Sequence, residues 1–150
     1  MPSTAYRVPE NTSEQLNLQI RETMVENVAH YGSLSSEDIE QRLAELDQEW
    51  DIERTLEANA STLILLGVSM AAYSRNKNWL FLPGVVSAFL LQHALQGWCP
   101  PMPVFRRMGV RTQREIDEER FALKLLRGDF DQFVAEESYD PNEVLQAVQV

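Results

Sequence analysis

Residues 58–105 decide the fold, and they read ANASTLILLGVSMAAYSRNKNWLFLPGVVSAFLLQHALQGWCPPMPVF. The only charged residues in this stretch, Arg75 and Lys77, lie between two mostly apolar segments, residues 58–74 and 78–98. At 1.5 Å per helical residue these segments cover about 25 and about 31 Å, and the hydrocarbon core of a bilayer is about 30 Å thick. The stretch therefore predicts an all-α fold centred on a two-pass transmembrane helical hairpin.

Small residues recur at a spacing of four in both segments of the hairpin. Gly67 and Ala71 have this spacing in the first segment, and Gly84 and Ala88 have it in the second. Such spacing lets transmembrane helices approach closely. These four residues are therefore predicted to form the packing seam of the membrane helices.

Three polar side chains fall in one sector of the second segment: Gln92, His93 and Gln96. Polar groups inside a membrane often mark a passage or a proton site. The alternative is that they form hydrogen bonds between helices, with partners such as Asn59 and Thr62 in the first segment. The sequence leaves both interpretations open.

The charge of the chain is divided sharply along its length. Residues 1–57 carry 13 acidic and 4 basic side chains, residues 58–114 carry 0 and 6, and residues 115–150 carry 10 and 3. Phosphate binding needs a clustered positive face. Two acidic arms around a basic, apolar middle therefore predict no nucleic-acid partner, and the expected partner is the lipid bilayer.

Basic residues near the ends of the hairpin indicate its orientation. Five lie on the side of the termini, namely Arg54, Arg106, Arg107, Arg111 and Arg114, against the two in the turn. The positive-inside rule then predicts that both termini are cytoplasmic. The last four arginines are candidate ligands for anionic lipid headgroups, although a topology signal alone would also explain them.

The remaining chain divides into three pieces: a loose tail at residues 1–11, an acidic helical arm at residues 12–57, and, at residues 106–150, a basic juxtamembrane turn followed by acidic helices. Capping-box pairs that begin at Thr12 and Ser35 open two amphipathic helices in the acidic arm. These two helices are predicted to pack against each other. Because no proline or glycine interrupts residues 35–66, the second is predicted to continue into the hairpin without a break.

The single cysteine, Cys99, is the only side chain in the chain that suggests covalent chemistry. One cysteine cannot form an internal disulfide or a cysteine-rich metal site. Its position beside the arginines favours an accessible, reactive thiol, whereas a small apolar residue at a helix end is the structural alternative. The sequence contains no catalytic motif and predicts no cofactor or metal site.

A family resemblance rests on Gly97-Trp98-Cys99-Pro100 and on Met108-Gly109. With the two apolar segments, residues 52–110 resemble the YgaP-like inner-membrane domain, a bacterial hairpin family of unknown function. The family occurs alone or fused to a rhodanese sulfurtransferase. The resemblance implies a bacterial inner-membrane location and suggests sulfur chemistry at Cys99. It implies no established catalytic residues, and this chain has no rhodanese portion.

Together these observations predict a small integral inner-membrane protein with a structural or interaction role. Helical cytoplasmic arms would pack on another copy of the chain or on a membrane-protein partner. One alternative is a membrane-associated sulfur or thiol relay that uses Cys99. Another is a soluble interaction module in which the hairpin forms the buried centre of a four- or five-helix bundle, as the mean hydropathy of −0.30 allows.

Overall fold

The computed structural model describes residues 5–131, and within this range the chain is built from helices and their connecting turns. The all-α prediction is therefore confirmed for the described residues. A short 3-10 helix, Lys77–Leu80, precedes the fifth of seven α-helices. These are α1 (Arg7–Glu10), α2 (Glu14–Tyr31), α3 (Ser36–Gln48), α4 (Ile52–Ser74), α5 (Phe81–Gln96), α6 (Met102–Arg107) and α7 (Gln113–Arg127).

The chain divides into two compact units, each assembled from segments that are distant in sequence. Of the described residues, 5–20 and 50–114 form the first unit, and 21–49 and 115–131 form the second. Helix α2 begins in the first unit and ends in the second. The first unit contains α4 and α5, and the second contains α3 and nearly all of α7.

Helices α4 and α5 pack against each other along the apolar stretch. Arg75 ends α4 in the left-handed conformation, with φ of 52°. The two helices approach closely at Gly67, where an added Cβ would lie 2.5 Å from Cδ of Pro83. Glycine is therefore required at this contact, because any larger side chain would push the two helices apart.

The apolar surface of this helix pair is mostly uncovered. Both helices are long and apolar enough to cross a membrane. In each helix, 11% of an apolar stretch of 18 residues is buried. Leu65 is 66% exposed and Phe81 is 78% exposed. The buried core of the first unit lies instead beside the start of α4 and the segment after α5, where Val8, Ile52, Leu56, Cys99 and Met102 pack together.

The second unit has its own apolar core between α3 and α7. It consists of Ile39, Leu43 and Leu46 from α3 with Ile116 and Leu123 from α7, and Tyr31 packs against it. The capping box at Ser35 is present, with Ser35 Oγ accepting from the backbone N–H of Asp38. The helical period of α3 therefore predicted its buried face correctly. The packing of this face against α7 was not predicted from the sequence.

The N-terminal tail and the acidic arm both differ from their predictions. Helix α1 lies within the expected loose tail, because Val8 is buried in the core of the first unit. Thr12 is not a helix cap, since its hydroxyl donates to the Val8 carbonyl and α2 begins at Glu14. The long helix through residues 35–66 is interrupted where Asp51 accepts the backbone N–H of Arg54 and starts α4 anew.

Gly128, with φ of 88°, follows the last turn of α7, and the flanking Arg127 and Asp129 form an ion pair of 2.6 Å. The part of the predicted acidic helices that follows residue 131 lies outside the described residues.

Candidate functional site

The four arginines predicted to meet lipid headgroups have different environments. Arg107 is exposed, but Arg106 and Arg111 are buried, with 1% and 6% of their surfaces exposed. Arg114 is partly buried and lies over the Tyr6 ring, 3.9 Å from its centroid. Arg106 and Arg111 are therefore corrected from headgroup ligands to internal side chains of the first unit.

Arg106 is buried because it connects three parts of the first unit. Its guanidinium donates to the Thr12 hydroxyl at 3.2 Å, to the Asn17 side-chain oxygen at 3.1 Å and to the Val110 carbonyl at 3.1 Å. Planar guanidinium groups with several donors suit such sites, where a buried charge needs multiple acceptors. Arg106 thus fixes the turn after α6 against the N-terminal segment.

The polar residues of α5 are not paired with the polar residues predicted in α4. Asn59 and Thr62 donate to the carbonyls of Thr55 and Ala58 in their own helix. Gln92 is partly buried and Gln96 is exposed. His93 alone is buried, with 2% of its surface exposed.

His93 forms the centre of a polar cluster in the first unit. Its Nε2 lies 2.8 Å from Oε2 of Glu53, and the other oxygen of Glu53 accepts from Arg7 at 2.7 Å. Cys99, which was expected to be accessible, is instead buried, with 3% of its surface exposed, and its thiol interacts with the imidazole. His93 Nδ1 makes no directed hydrogen bond with a described residue. A thiol, an imidazole and a carboxylate thus belong to one cluster, which is the combination of groups found in sites that activate a cysteine nucleophile.

The backbone around Gly97 holds this cluster together. Gly97 ends α5 with φ of 76°, and an added Cβ would lie 2.5 Å from the Arg7 carbonyl oxygen. The Asn11 side chain donates to the carbonyls of both Arg7 and Gln96. Because only glycine tolerates both the positive φ and the close approach, Gly97 places α1 next to the end of α5 and brings Arg7 to Glu53.

A largely apolar cavity of about 330 Å³ adjoins the cluster, between α4 and α5. Cys99 lines it, together with Leu56, Asn59, Ala60, Leu63, Val86, Phe89, Leu90, Pro101 and Phe105. Asn59 is the one polar side chain among these, apart from the thiol, and its amide is bonded within α4. Cys99 therefore connects a polar activating group with an apolar binding space.

The small residues of the predicted seam are only partly brought together. Gly67 is buried against Pro83, and Ala71 is partly buried. Gly84 has no other atom within 4 Å of its Cβ position, and Ala88 is exposed. On α5, proline rather than glycine forms the contact with Gly67.

The sequence analysis missed Glu53 and Arg7 as members of the site. For Glu53 the available signal is the register of an antiparallel helix pair, in which residues equally far from the turn face each other. Gly67 and Pro83 lie eight residues before and after Arg75. Counting outward in the same way places His93 opposite Glu57, so this register points to Glu57 and not to Glu53, which lies about one helical turn earlier. Arg7 offered no comparable signal, because its tail was predicted to be loose.

The second unit contains a separate buried polar group, Glu119, with 1% of its surface exposed. Its carboxylate accepts from Arg42 at 2.9 Å and from the Asn27 amide at 3.3 Å. Arg120 of the same helix pairs with Asp47 at 2.9 Å and also with Asp117. These contacts join α2, α3 and α7 of the second unit, and Glu119 also lines an open groove of this unit.

Within residues 5–131 no group of three or more histidine, cysteine, aspartate or glutamate side chains is placed to hold a metal ion. In comparisons with known proteins, no family model, no curated protein and no solved structure matched this chain. The assignment of function therefore depends on the geometry of the chain itself.

Proposed function

We propose that this protein is a small integral protein of the bacterial inner membrane whose α4–α5 pair spans the bilayer as a hairpin with both termini in the cytoplasm. The observation that carries the proposal is that only 11% of the apolar 18-residue stretch in each helix is buried, so most of this apolar surface is not covered by the chain. If this pair were the centre of a soluble bundle, its leucines would be covered by protein. A bilayer covers such a surface without a protein partner.

Its role in this proposal is structural: the hairpin anchors a helical unit that contacts a second copy of the chain or another membrane protein. The second unit has an open groove of about 580 Å³ that Met24, Val25, Val28 and Leu126 help to line. Val25 is 59% exposed and Leu126 is 55% exposed. An exposed apolar groove of this kind is typical of a surface that meets a helix of a partner.

Alkaline carbonate extraction of membranes tests the anchoring. A spanning hairpin stays in the membrane pellet, and a protein held only by ionic contacts is released. Orientation is tested with Asn76→Cys and Ser36→Cys, each in a Cys99→Ser background and labelled in intact cells with a membrane-impermeant maleimide. We expect labelling of Asn76→Cys alone. Release by carbonate contradicts the anchoring, and labelling of Ser36→Cys contradicts the cytoplasmic termini.

Association is tested with Leu126→Cys in the same background. Thiol crosslinking in membranes should trap a dimer or a crosslinked partner, whereas Glu22→Cys, an exposed site outside the groove, should give less product. Monomer alone at both positions would argue against the groove as a contact surface.

A second candidate function is thiol chemistry at Cys99, as in a membrane-associated sulfur or thiol relay. The observation that favours it is that Cys99 is buried in one cluster with an imidazole whose Nε2 lies 2.8 Å from Oε2 of Glu53. A neighbouring base activates a thiol because the thiolate is the nucleophilic form. Thiol-reactive probes and persulfide labelling of the wild type and Cys99→Ser test this function, and equal labelling of both would remove it.

A further inference from the structure

We propose that Cys99 accepts a long-chain acyl group from an acyl thioester, and that the acyl chain occupies the cavity between α4 and α5. The inference rests on the second candidate function, a nucleophilic Cys99, and names the substrate class of that site.

The composition of the cavity selects a hydrocarbon chain. Its volume of about 330 Å³ lies at the lower end of the range for ligand sites, about 300 to 1,000 Å³. No charged residue lines it, and the Asn59 amide is bonded to its own helix. A polar ligand would lose its hydration there without recovering hydrogen bonds, whereas a hydrocarbon chain gains from burial.

The acyl chain can reach the cavity from the side of the α4–α5 pair. Leu63 and Phe89 line the cavity, belong to α4 and α5, and are 43% and 38% exposed. The cavity therefore opens between the two helices proposed to lie in lipid. An acyl chain already dissolved in the membrane could enter without crossing a polar surface.

The proposed chemistry at Cys99 is a transthioesterification. Since Nε2 of His93 faces Glu53, Nδ1 is the nitrogen left to take the proton from the Cys99 thiol. The Cys99 sulfur then attacks the acyl carbonyl carbon and forms a carbon–sulfur bond. The bond from that carbon to the donor sulfur breaks, and the leaving thiolate takes the proton back from His93. The products are an acylated Cys99 and a free thiol, with no change in oxidation state.

The burial of Cys99 suits an acyl carrier. The residue is 3% exposed, and exclusion of water from a site protects a reactive intermediate from hydrolysis. A sulfane-sulfur carrier would need the same thiol but would have no use for an apolar cavity of this size. The cavity is thus the feature that distinguishes acyl transfer from a sulfur relay.

The test uses the full chain in membranes or detergent, incubated with alkyne-tagged palmitoyl-coenzyme A or with acetyl-coenzyme A. We expect a label on the wild type that hydroxylamine removes, that forms faster with the palmitoyl donor, and that is absent from Cys99→Ser. Ser87→Cys in that background provides a thiol on the exposed face of α5, away from His93. Equal labelling of this control would show general acylation of membrane thiols and would overturn the proposal.

Two further variants separate the cavity from the thiol. Ala60→Phe fills the cavity and should lower palmitoyl labelling at least tenfold while a small maleimide still reacts with Cys99. His93→Gln should slow palmitoyl labelling of Cys99 roughly 100-fold near neutral pH. The labelling rate of this variant should recover at alkaline pH, where the thiolate forms without a base. Palmitoyl labelling that Ala60→Phe leaves unchanged would overturn the proposed cavity.

Failure of this inference differs from failure of the proposed functions. Persulfide labelling of Cys99 with no acyl label overturns acyl transfer and leaves the thiol relay standing. Absence of both labels, in protein that carbonate does not extract, removes the thiol chemistry and leaves the membrane anchor.

Discussion

The substitution Leu65→Lys tests whether the exposed surface of α4 lies in lipid or in water. Leu65 is 66% exposed near the middle of the apolar part of α4, so the new side chain meets no packing conflict in the chain. In hydrocarbon, exchanging leucine for lysine at a helix centre costs about 3 to 4 kcal/mol on insertion scales. This cost corresponds to a factor between roughly 100 and 1,000 in an insertion equilibrium. In water the substitution would cost almost nothing.

Leu125→Lys is the matched control, because Leu125 is 63% exposed on α7, outside the helices proposed to span the membrane. The assay is the fraction of each variant that resists alkaline carbonate, measured at equal expression. We expect Leu65→Lys to lower this fraction strongly and Leu125→Lys to leave it near the wild-type value. An unchanged fraction for Leu65→Lys, or equal losses for the two variants, would refute the reasoning.

Three other substitutions test the contacts inside the units by thermal unfolding in detergent. Gly67→Ala should lower the free energy of unfolding by about 1 to 3 kcal/mol, because the added methyl group would lie 2.5 Å from Pro83. Gly84→Ala should leave it unchanged, because the added methyl group meets no atom within 4 Å. Equal effects of the two substitutions would contradict the packing. Gly97→Ala should cost more than Gly109→Ala, since both have positive φ but only Gly97 touches the backbone of α1, and the reverse order would exclude that contact. The hydrogen bond with Arg127 lowers the pKa of Asp129 below the ordinary value of 3.8. The ion pair therefore stabilises the fold above that value, and this stabilisation is lost as the pH falls through the pKa of Asp129 in the folded state. Asp129→Asn should make stability less dependent on pH in this acid range, and an unchanged dependence would contradict the assignment.

The amphipathic helices could be predicted from the sequence because period and capping are local properties. Ile39, Leu43 and Leu46 follow the helical period and are buried, and the Ser35 cap starts α3 as expected. The break before Asp51 was missed, because the prediction relied on the absence of proline and glycine. An aspartate that accepts the N–H three residues ahead can start a new helix without either residue.

The site could be predicted only in part, because its members come together through long-range packing. The sequence singled out Cys99 for its chemistry and His93 for its place in an apolar segment, yet it placed them in separate hypotheses. Their contact follows from the turn at Gly97 and the register of α4 against α5. Similarly, Arg106 looked like a surface cation, and its burial depends on acceptors in a segment nearly ninety residues away.

The account depends on hydrocarbon covering the exposed faces of α4 and α5. The most direct measurement attaches a spin label to Leu65→Cys in a Cys99→Ser background, reconstitutes the protein in vesicles, and compares collisions with oxygen and with a water-soluble nickel complex. Oxygen concentrates in hydrocarbon and the nickel complex stays in water. The account predicts that oxygen dominates at Leu65→Cys and the nickel complex dominates at Leu125→Cys. A label at Leu65→Cys that collides mainly with the nickel complex would contradict it.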